Sequence, residues 1–160
     1  MITDGGLAVP GLAGMIRAMS IEVVFTQEST ATGGGREGHV KSSTGKIDLN
    51  TNHPKEMGGS GEGTNPEELF SAGYAACFLG ALRLVAKNND IKLDDATAIT
   101  AQVSFGKDPE GGFGINAHLI GYLPGLEQSA ADDLMNNAHQ VCPYSKATRG
   151  NIDVKLSAKV

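Results

Sequence analysis

Two cysteines, Cys77 and Cys142, carry the most reactive side chains of this chain. They lack Cys-x-x-Cys spacing and are too few for a disulfide framework, so they act together only if the fold brings them into contact. A free cysteine is usually a small buried hydrophobe, which makes an inert core thiol one interpretation. The other is redox chemistry, in which one thiolate attacks a peroxide and a second thiol resolves the sulfenic acid that forms.

A reactive thiol on an apolar helix needs a nearby cation, because an ordinary cysteine is only about 3% thiolate at pH 7 and burial lowers that fraction. Arg36, in the glycine-rich turn from Thr30 to Gly38, is the candidate cation. Glu67 is its candidate partner, since a carboxylate suits a guanidinium in bidentate geometry. Plainer interpretations remain open: Arg36 as a solvated hairpin residue, and Glu67 as an acid that favours the helix dipole.

The stretch from Gly63 to Leu82 carries strong signals for the start of a long helix. Asn65 is a good N-cap, Pro66 takes the first helical position, and Glu68 completes a capping pair three residues on. The helical pattern fades at Lys87 to Asp90. We therefore expect one long helix with Cys77 near its middle.

At about 100° per residue, Cys77 lies on the apolar side of this helix, and Gly73 and Gly80 indicate that another backbone approaches closely. Glu67 and Cys77 are ten residues apart, which is about 15 Å along a helix and about 80° around it. They cannot meet within one straight helix. Either the helix kinks near Gly73 or Glu67 serves the cysteine of a second subunit, and we predict the second arrangement.

The remaining elements are predicted from alternation, β-branched content and helical spacing. Their order, β-β-β-α-β-β-α-β, predicts an α+β fold and not a doubly wound parallel sheet. The predicted elements are a first strand at Ser20–Thr26, a hairpin of His39–Ser42 and Lys46–Leu49, a second hairpin of Thr97–Phe105 and Phe113–Leu123, a helix over 126–142 that Pro143 ends, and a terminal strand at Ile152–Val160.

Length and charge limit the function classes. The 160 residues predict a single domain at 19–160, with residues 1–18 as an N-terminal extension that is not part of the fold. A net charge of −5 argues against nucleic-acid and anionic-membrane partners. No apolar run near the ~20 residues of a membrane span is expected, and no signal peptide, so we expect a cytoplasmic protein. His139 and Cys142 are only two ligands, so we expect no metal.

Three motifs carry a family resemblance: Ala31 to Gly38, which contains Arg36, Gly63 to Leu82, and His139 to Val154. They resemble the organic hydroperoxide resistance (Ohr) proteins of the OsmC/Ohr family, from about Met19 to the C-terminus. The third motif, with Val-Cys-Pro-Tyr-Ser followed by Ala-Thr-Arg-Gly-Asn, is similar to the Ohr branch rather than the OsmC branch.

The resemblance implies an intertwined homodimer, in which two long central helices pack against outer antiparallel β-sheets. It implies that Cys77 is the peroxidatic thiol, Cys142 the resolving thiol, Arg36 the thiolate-stabilising cation and Glu67 its partner. The expected activity is reduction of organic hydroperoxides, including those of fatty acids, to alcohols through a Cys77–Cys142 disulfide. A dihydrolipoyl group of a lipoylated protein, or another dithiol, is the expected reductant, and no cofactor is required.

Two other functions remain open. The first is a non-catalytic redox-sensing or lipid-binding module, in which the thiols only report oxidation. The second is general thiol–disulfide exchange, which the absence of Cys-x-x-Cys disfavours.

Overall fold

The structure is a computed structural model that describes residues 21–160. The predicted extension at 1–18 lies outside the described residues, and the domain boundary at 19 stays a prediction. The observed order confirms the α+β class. The elements are β1 (Ser29–Gly33), β2 (Gly38–Ser42), β3 (Asp48–Thr51), α1 (Pro66–Asn88), β4 (Ala98–Lys107), β5 (Phe113–Tyr122), α2 (Gln128–Val141), α3 (Pro143–Thr148) and β6 (Val154–Lys159), with a single 3-10 turn at Lys55–Met57 before α1.

The long helix α1 begins as its sequence predicts. The side chain of Asn65 accepts a hydrogen bond of 2.8 Å from the backbone N–H of Glu68, and Pro66 takes the first helical position. Tyr74, Phe78 and Leu82 recur at four-residue spacing and are fully buried. This apolar row packs α1 against β4, α2 and α3 and forms the centre of the core.

Two three-stranded sheets flank the helices, in the orders β1-β2-β3 and β4-β5-β6. The first is antiparallel throughout and lies outside the core, with every residue of β1 exposed. In the second sheet β4 and β5 form the predicted antiparallel hairpin, but β6 runs parallel to β5. The parallel pairing follows from the connection, because α2 and α3 cross over between the two strands and return the chain in the same direction.

The prediction of a first strand at Ser20–Thr26 was wrong for its described part. Residues 21–28 form no strand, and the first strand is β1 at Ser29–Gly33, which lies partly within the segment predicted as a glycine-rich turn. Four apolar side chains account for the prediction, but within the described chain they are exposed and no strand pairs with them. A strand needs such a partner as well as β propensity. The exposed side chains are Ile21, Val23, Val24 and Phe25.

The predicted helix over 126–142 contains a break. Helix α2 ends at Val141, the backbone of Cys142 is extended (φ −65°, ψ 124°), and Pro143 begins the six-residue helix α3. Proline fits the first position of a helix, and it restricts the preceding residue to extended conformations. Pro143 therefore starts a helix where we expected it only to end one.

One strip of α1 is left uncovered within the described chain. Its residues recur every four positions, and three of them are small. The exposed residues are Ala72, Ala76, Gly80 and Leu84.

By length and composition alone α1 could span a membrane, which corrects the expectation that no segment could. The core helix of a globular protein passes the same test.

Candidate active site

The fold brings the two cysteines together. Cys77 lies in the middle of α1 and Cys142 lies between α2 and α3, and their sulfur atoms are 3.6 Å apart across 65 residues of chain. Both are free thiols, since a disulfide would bring the sulfur atoms to about 2.05 Å. This pair is the first requirement for chemistry that passes through a disulfide.

The two thiols differ in access to solvent. Cys142 is fully buried, whereas Cys77 is half-buried beside the buried rings of Tyr74 and Phe78. Cys77 is therefore the more accessible of the two residues to a small molecule from solvent. The prediction that Cys77 faces the apolar side of α1 is confirmed in part, because the buried row is centred on Phe78 rather than on the cysteine.

The environment of Cys77 within one chain does not activate it. Burial raises the pKa of the Cys77 thiol, and the nearby Cys142 sulfur raises it further. A hydrogen bond from the backbone N–H of Tyr144 opposes the rise without overcoming it. Because the thiolate is the nucleophile, this thiol requires a positive charge that its own surroundings do not supply.

The predicted partnership of Arg36 and Glu67 is confirmed. The Arg36 guanidinium donates two hydrogen bonds to the Glu67 carboxylate, Nη1 to Oε2 at 2.9 Å and Nη2 to Oε1 at 2.6 Å. This bidentate pair lowers the pKa of Glu67 and raises that of Arg36. The side chains are 34% and 15% exposed, so the guanidinium keeps access to solvent while its partner is largely covered.

The turn that carries Arg36 is fixed by Thr51 of β3. Its hydroxyl donates to the carbonyl of Gly35 at 2.7 Å and accepts from the N–H of Gly38 at 2.9 Å. One side chain thus holds the backbone on both sides of Arg36. The sequence offered no signal for this role, because threonine at the end of a strand is ordinary.

An aromatic contact that the sequence analysis missed also holds Arg36. The guanidinium carbon lies 4.8 Å from the centroid of the Phe105 ring, within the range of a cation–π interaction. The Phe105 ring is in turn stacked on Phe113, with centroids 5.2 Å apart and planes 16° from parallel. Glu67 and Phe105 together fix both the charge partner and the plane of the guanidinium.

The two pairs lie apart within the chain. Helix α1 is continuous from Pro66 to Asn88, so Glu67 and Cys77 are separated by about 15 Å along its axis. The helix has no break at Gly73, where a Cβ atom would instead meet the ring of Tyr144, with the hydroxyl at 3.0 Å. That glycine accommodates a side chain, not the backbone we expected. Arg36 is not among the groups that shift the pKa of Cys77.

Two cavities within residues 21–160 lie away from the thiols. A cavity of about 720 Å³ lies at the ends of β4 and β5 and is lined by Phe105, Phe113 and Ile152 among others, but by neither cysteine.

Among residues 21–160, no group of three metal-binding side chains forms around His139 and Cys142 or elsewhere. Burial lowers the pKa of His139 and so favours its neutral form.

Comparison with known proteins gives a consistent result. The model of the OsmC-like protein family matches residues 59–157. The chain is 50% identical over 137 residues to an organic hydroperoxide resistance protein of Xanthomonas axonopodis pv. citri, covering 85% of this chain and 95% of that protein.

Solved structures agree with the sequence match. An organic hydroperoxide resistance protein from Legionella pneumophila superposes with a TM-score of 0.81 at 47% identity. The superposition covers 87% of this chain and 100% of that chain. The organic hydroperoxide resistance protein OhrB of Bacillus subtilis gives a TM-score of 0.77 at 48% identity, covering 86% of this chain and 100% of that one.

Proposed function

Because this chain belongs to the OsmC/Ohr family, on the branch of the organic hydroperoxide resistance proteins, we propose that it is a cysteine-based peroxidase that reduces organic hydroperoxides to alcohols. The observation that carries the proposal is the 3.6 Å separation of the Cys77 and Cys142 sulfur atoms. Two free thiols at this distance, one accessible and one buried, suit a nucleophile and a resolving group.

In the first step the Cys77 thiolate attacks the distal oxygen of the hydroperoxide. The sulfur–oxygen bond forms as the oxygen–oxygen bond breaks, and the alkoxide that leaves takes up a proton to become the alcohol. Cys77 becomes a sulfenic acid. The half-buried position of Cys77 supports this assignment, because the fully buried sulfur of Cys142 could not meet the substrate first.

In the second step the Cys142 sulfur attacks the sulfenic sulfur of Cys77. The disulfide forms, and the hydroxyl leaves as water with a proton. An external dithiol then reduces the disulfide and is itself oxidised. The family resemblance suggests a dihydrolipoyl group of a lipoylated protein for this role, and a chain with only two cysteines and no disulfide framework suits a reducing, cytoplasmic compartment.

The activating cation is Arg36 of a second subunit in a homodimer. Three observations support this arrangement: the raised pKa of Cys77 within one chain, the distance along α1 between Glu67 and Cys77, and the bare apolar strip of that helix. Two copies that pack across the strip would bury it. Arg36 of each would then stabilise the partner's thiolate and the charge that develops on the peroxide.

The substrate class follows from the side chains around the thiols. The ring of Tyr144, whose backbone N–H bonds to the Cys77 sulfur, lies 6.0 Å from Phe70 and 5.7 Å from Tyr74, so a cluster of aromatic side chains lies close to Cys77. An apolar wall gains ~0.8 kcal/mol for each buried CH₂ of an alkyl peroxide and nothing comparable from hydrogen peroxide. We therefore expect a preference for alkyl and fatty-acid hydroperoxides.

Stopped-flow oxidation of the reduced protein tests this function. The expected result is faster reaction with an alkyl hydroperoxide than with hydrogen peroxide, followed by a product about two mass units lighter per chain, the loss that one disulfide causes. Sustained peroxide consumption with dihydrolipoamide is also expected. Slow oxidation by both peroxides, or a single oxidation without turnover, would contradict the proposal and favour the redox-sensing alternative.

A further inference from the structure

Three hydroxyl groups are buried beside the thiols, and the reaction proposed above does not use them. The hydroxyl of Tyr74 lies 3.0 Å from Oγ of Ser145 and 3.1 Å from Oγ1 of Thr148. Tyr74 and Ser145 are fully shielded from solvent, and Thr148 is 7% exposed. Burying a hydroxyl is costly unless it is hydrogen-bonded, so a cluster of three paired hydroxyls in the core indicates a structural or functional role.

The single hydrogen of each hydroxyl fixes the direction of the bonds. Thr148 Oγ1 donates to the carbonyl of Tyr144 at 2.9 Å, so it accepts from Tyr74. Tyr74 has then used its hydrogen and accepts from Ser145. The result is one continuous relay, from Ser145 to Tyr74 to Thr148 to the Tyr144 carbonyl. In a low-dielectric interior such chains of hydrogen bonds reinforce one another.

The relay joins the two segments that carry the thiols. Tyr74 stands on α1 three residues before Cys77, while Ser145 and Thr148 belong to α3, which begins directly after Cys142. The extended backbone at Cys142 breaks the helix between α2 and α3, although its N–H still donates to the carbonyl of Ala138 and its carbonyl accepts from the N–H of Lys146, each at 2.9 Å. The relay is therefore a polar link that fixes α3, and with it the sulfur of Cys142, against the helix of Cys77.

We propose that Tyr74 is a positioning residue for disulfide closure, an inference that rests on the proposed peroxidase function. After the first oxidation, Cys142 sulfur must attack the Cys77 sulfenic sulfur, forming the sulfur–sulfur bond and releasing water. A second hydroperoxide competes for the same sulfenic acid, which it oxidises to sulfinic acid while it is itself reduced to alcohol. A fixed α3 favours closure over this second oxidation.

The test is the partition of the sulfenic acid between disulfide and sulfinic acid, read by intact mass over a range of alkyl hydroperoxide concentrations. Tyr74→Phe and Thr148→Val each remove one hydroxyl from the relay with little change in shape. Closure is expected to slow on the order of tenfold, the change that one buried hydrogen bond produces, and the sulfinic fraction rises accordingly. The double variant should be little worse than either single one, because both cut the same relay.

Two controls separate positioning from general stability. Thr148→Ser keeps the hydroxyl and should keep the wild-type partition. Phe78→Leu removes packing from the same buried row of α1 and should lower the melting temperature without raising the sulfinic fraction. If Phe78→Leu raises it as much as Tyr74→Phe does, the relay is only structural and the proposal is overturned.

The remaining outcomes also decide the matter. Closure at the wild-type rate in Tyr74→Phe would overturn the positioning role while leaving the peroxidase intact. If Tyr74→Phe does not fold, Thr148→Val carries the same test from the other helix. Failure of the wild-type protein to form any disulfide would instead overturn the peroxidase function, and this inference with it. The wild-type measurement thus distinguishes the two failures.

Discussion

The thiol pair and the arginine pair each have one member on α1, Cys77 and Glu67, and they are built in opposite ways. Cys77 and Cys142 meet inside the core, one fully buried, and are framed by buried rings and hydroxyls. Arg36 and Glu67 meet near the surface, in a turn outside the core, and the guanidinium is 34% exposed. The thiol pair is complete within one chain, whereas the arginine pair lies where its charge does not reach its own chain's cysteine.

In the proposed mechanism this difference separates two tasks. Disulfide formation needs two atoms of one chain at short range, and rigid packing supplies this. Activation needs a charge that comes close to the thiolate while remaining hydrated enough to stay stable, and an ion pair at a surface supplies that. We expect changes at the two pairs to alter different steps of the reaction.

The largest effects are expected at the thiols themselves. Cys77→Ser should reduce peroxide turnover to the uncatalysed rate, because a serine hydroxyl is not ionised near neutral pH. Cys142→Ser should leave the first oxidation nearly intact and stop the cycle there, since the sulfenic acid has no internal partner. Single-turnover and steady-state rates measured on both variants check this, and loss of the first oxidation in Cys142→Ser would contradict the assignment of roles.

Removal of the cation should have the next largest effect. Arg36→Gln is expected to raise the pKa of Cys77, which lowers the rate of first oxidation at neutral pH by on the order of 10-fold or more. The measurement is the pH profile of alkylation of Cys77 in both proteins. The wild-type profile should lie at lower pH, because Arg36 favours the charged form.

Mixed dimers show whether the cation acts between subunits. Arg36→Gln retains its cysteine, and Cys77→Ser retains its arginine, so a dimer of one copy of each has one complete site if Arg36 acts on the partner's thiol. Random reassortment of equal amounts of the two impaired variants should then raise activity to about a quarter of that of wild type. No recovery would mean that Arg36 serves its own chain.

The aromatic face under Arg36 should make a smaller contribution. Phe105→Leu is expected to slow the first oxidation by about two- to fivefold, because a cation–π contact near solvent contributes about 0.5–1 kcal/mol. Phe105→Tyr, which keeps the ring, is the matched control and should behave like wild type. An equal loss in the Tyr variant would assign the effect to packing and not to the ring face.

The smallest expected effect is on stability. The ion pair with Arg36 lowers the pKa of Glu67 in the folded state, so its stabilisation is fully present above the ordinary carboxyl pKa and is lost as pH falls through the lowered one. Wild type should exceed Glu67→Gln by about 1 kcal/mol near pH 7, a figure reduced for the partial exposure of Arg36. Denaturant unfolding measured from pH 7 into the acid range should show this advantage disappear, whereas a pH-independent difference would contradict it.

Local features were the ones that the sequence could predict. The cap of α1 at Asn65 and Pro66, both hairpins and the bidentate match of Arg36 with Glu67 depend on neighbouring residues or on side-chain chemistry, and the structure confirms them. The distance between Glu67 and Cys77 also follows from helix geometry alone.

Features set by tertiary contacts escaped the sequence analysis. The relay through Tyr74 and the ring of Phe105 join residues far apart in the chain, and nothing in their spacing indicates the contact. The prediction of a first strand was wrong for a related reason. Residues 21–26 have high β propensity, but pairing with another strand decides whether a strand forms. The assignment of Cys77 and Cys142 as partners came from the family resemblance, since their spacing does not reveal that they meet.

The separation of the cysteines in the chain has a consequence for heat resistance. A bond between residues 65 positions apart would restrict the unfolded chain by about 4 kcal/mol in the chain-entropy model. The oxidised protein should therefore melt at a higher temperature than the reduced one. A melting curve recorded on a sample that contains both the reduced and the oxidised protein would then show two transitions. Their amplitudes would give the fraction of molecules that are in the oxidised, disulfide-bonded form.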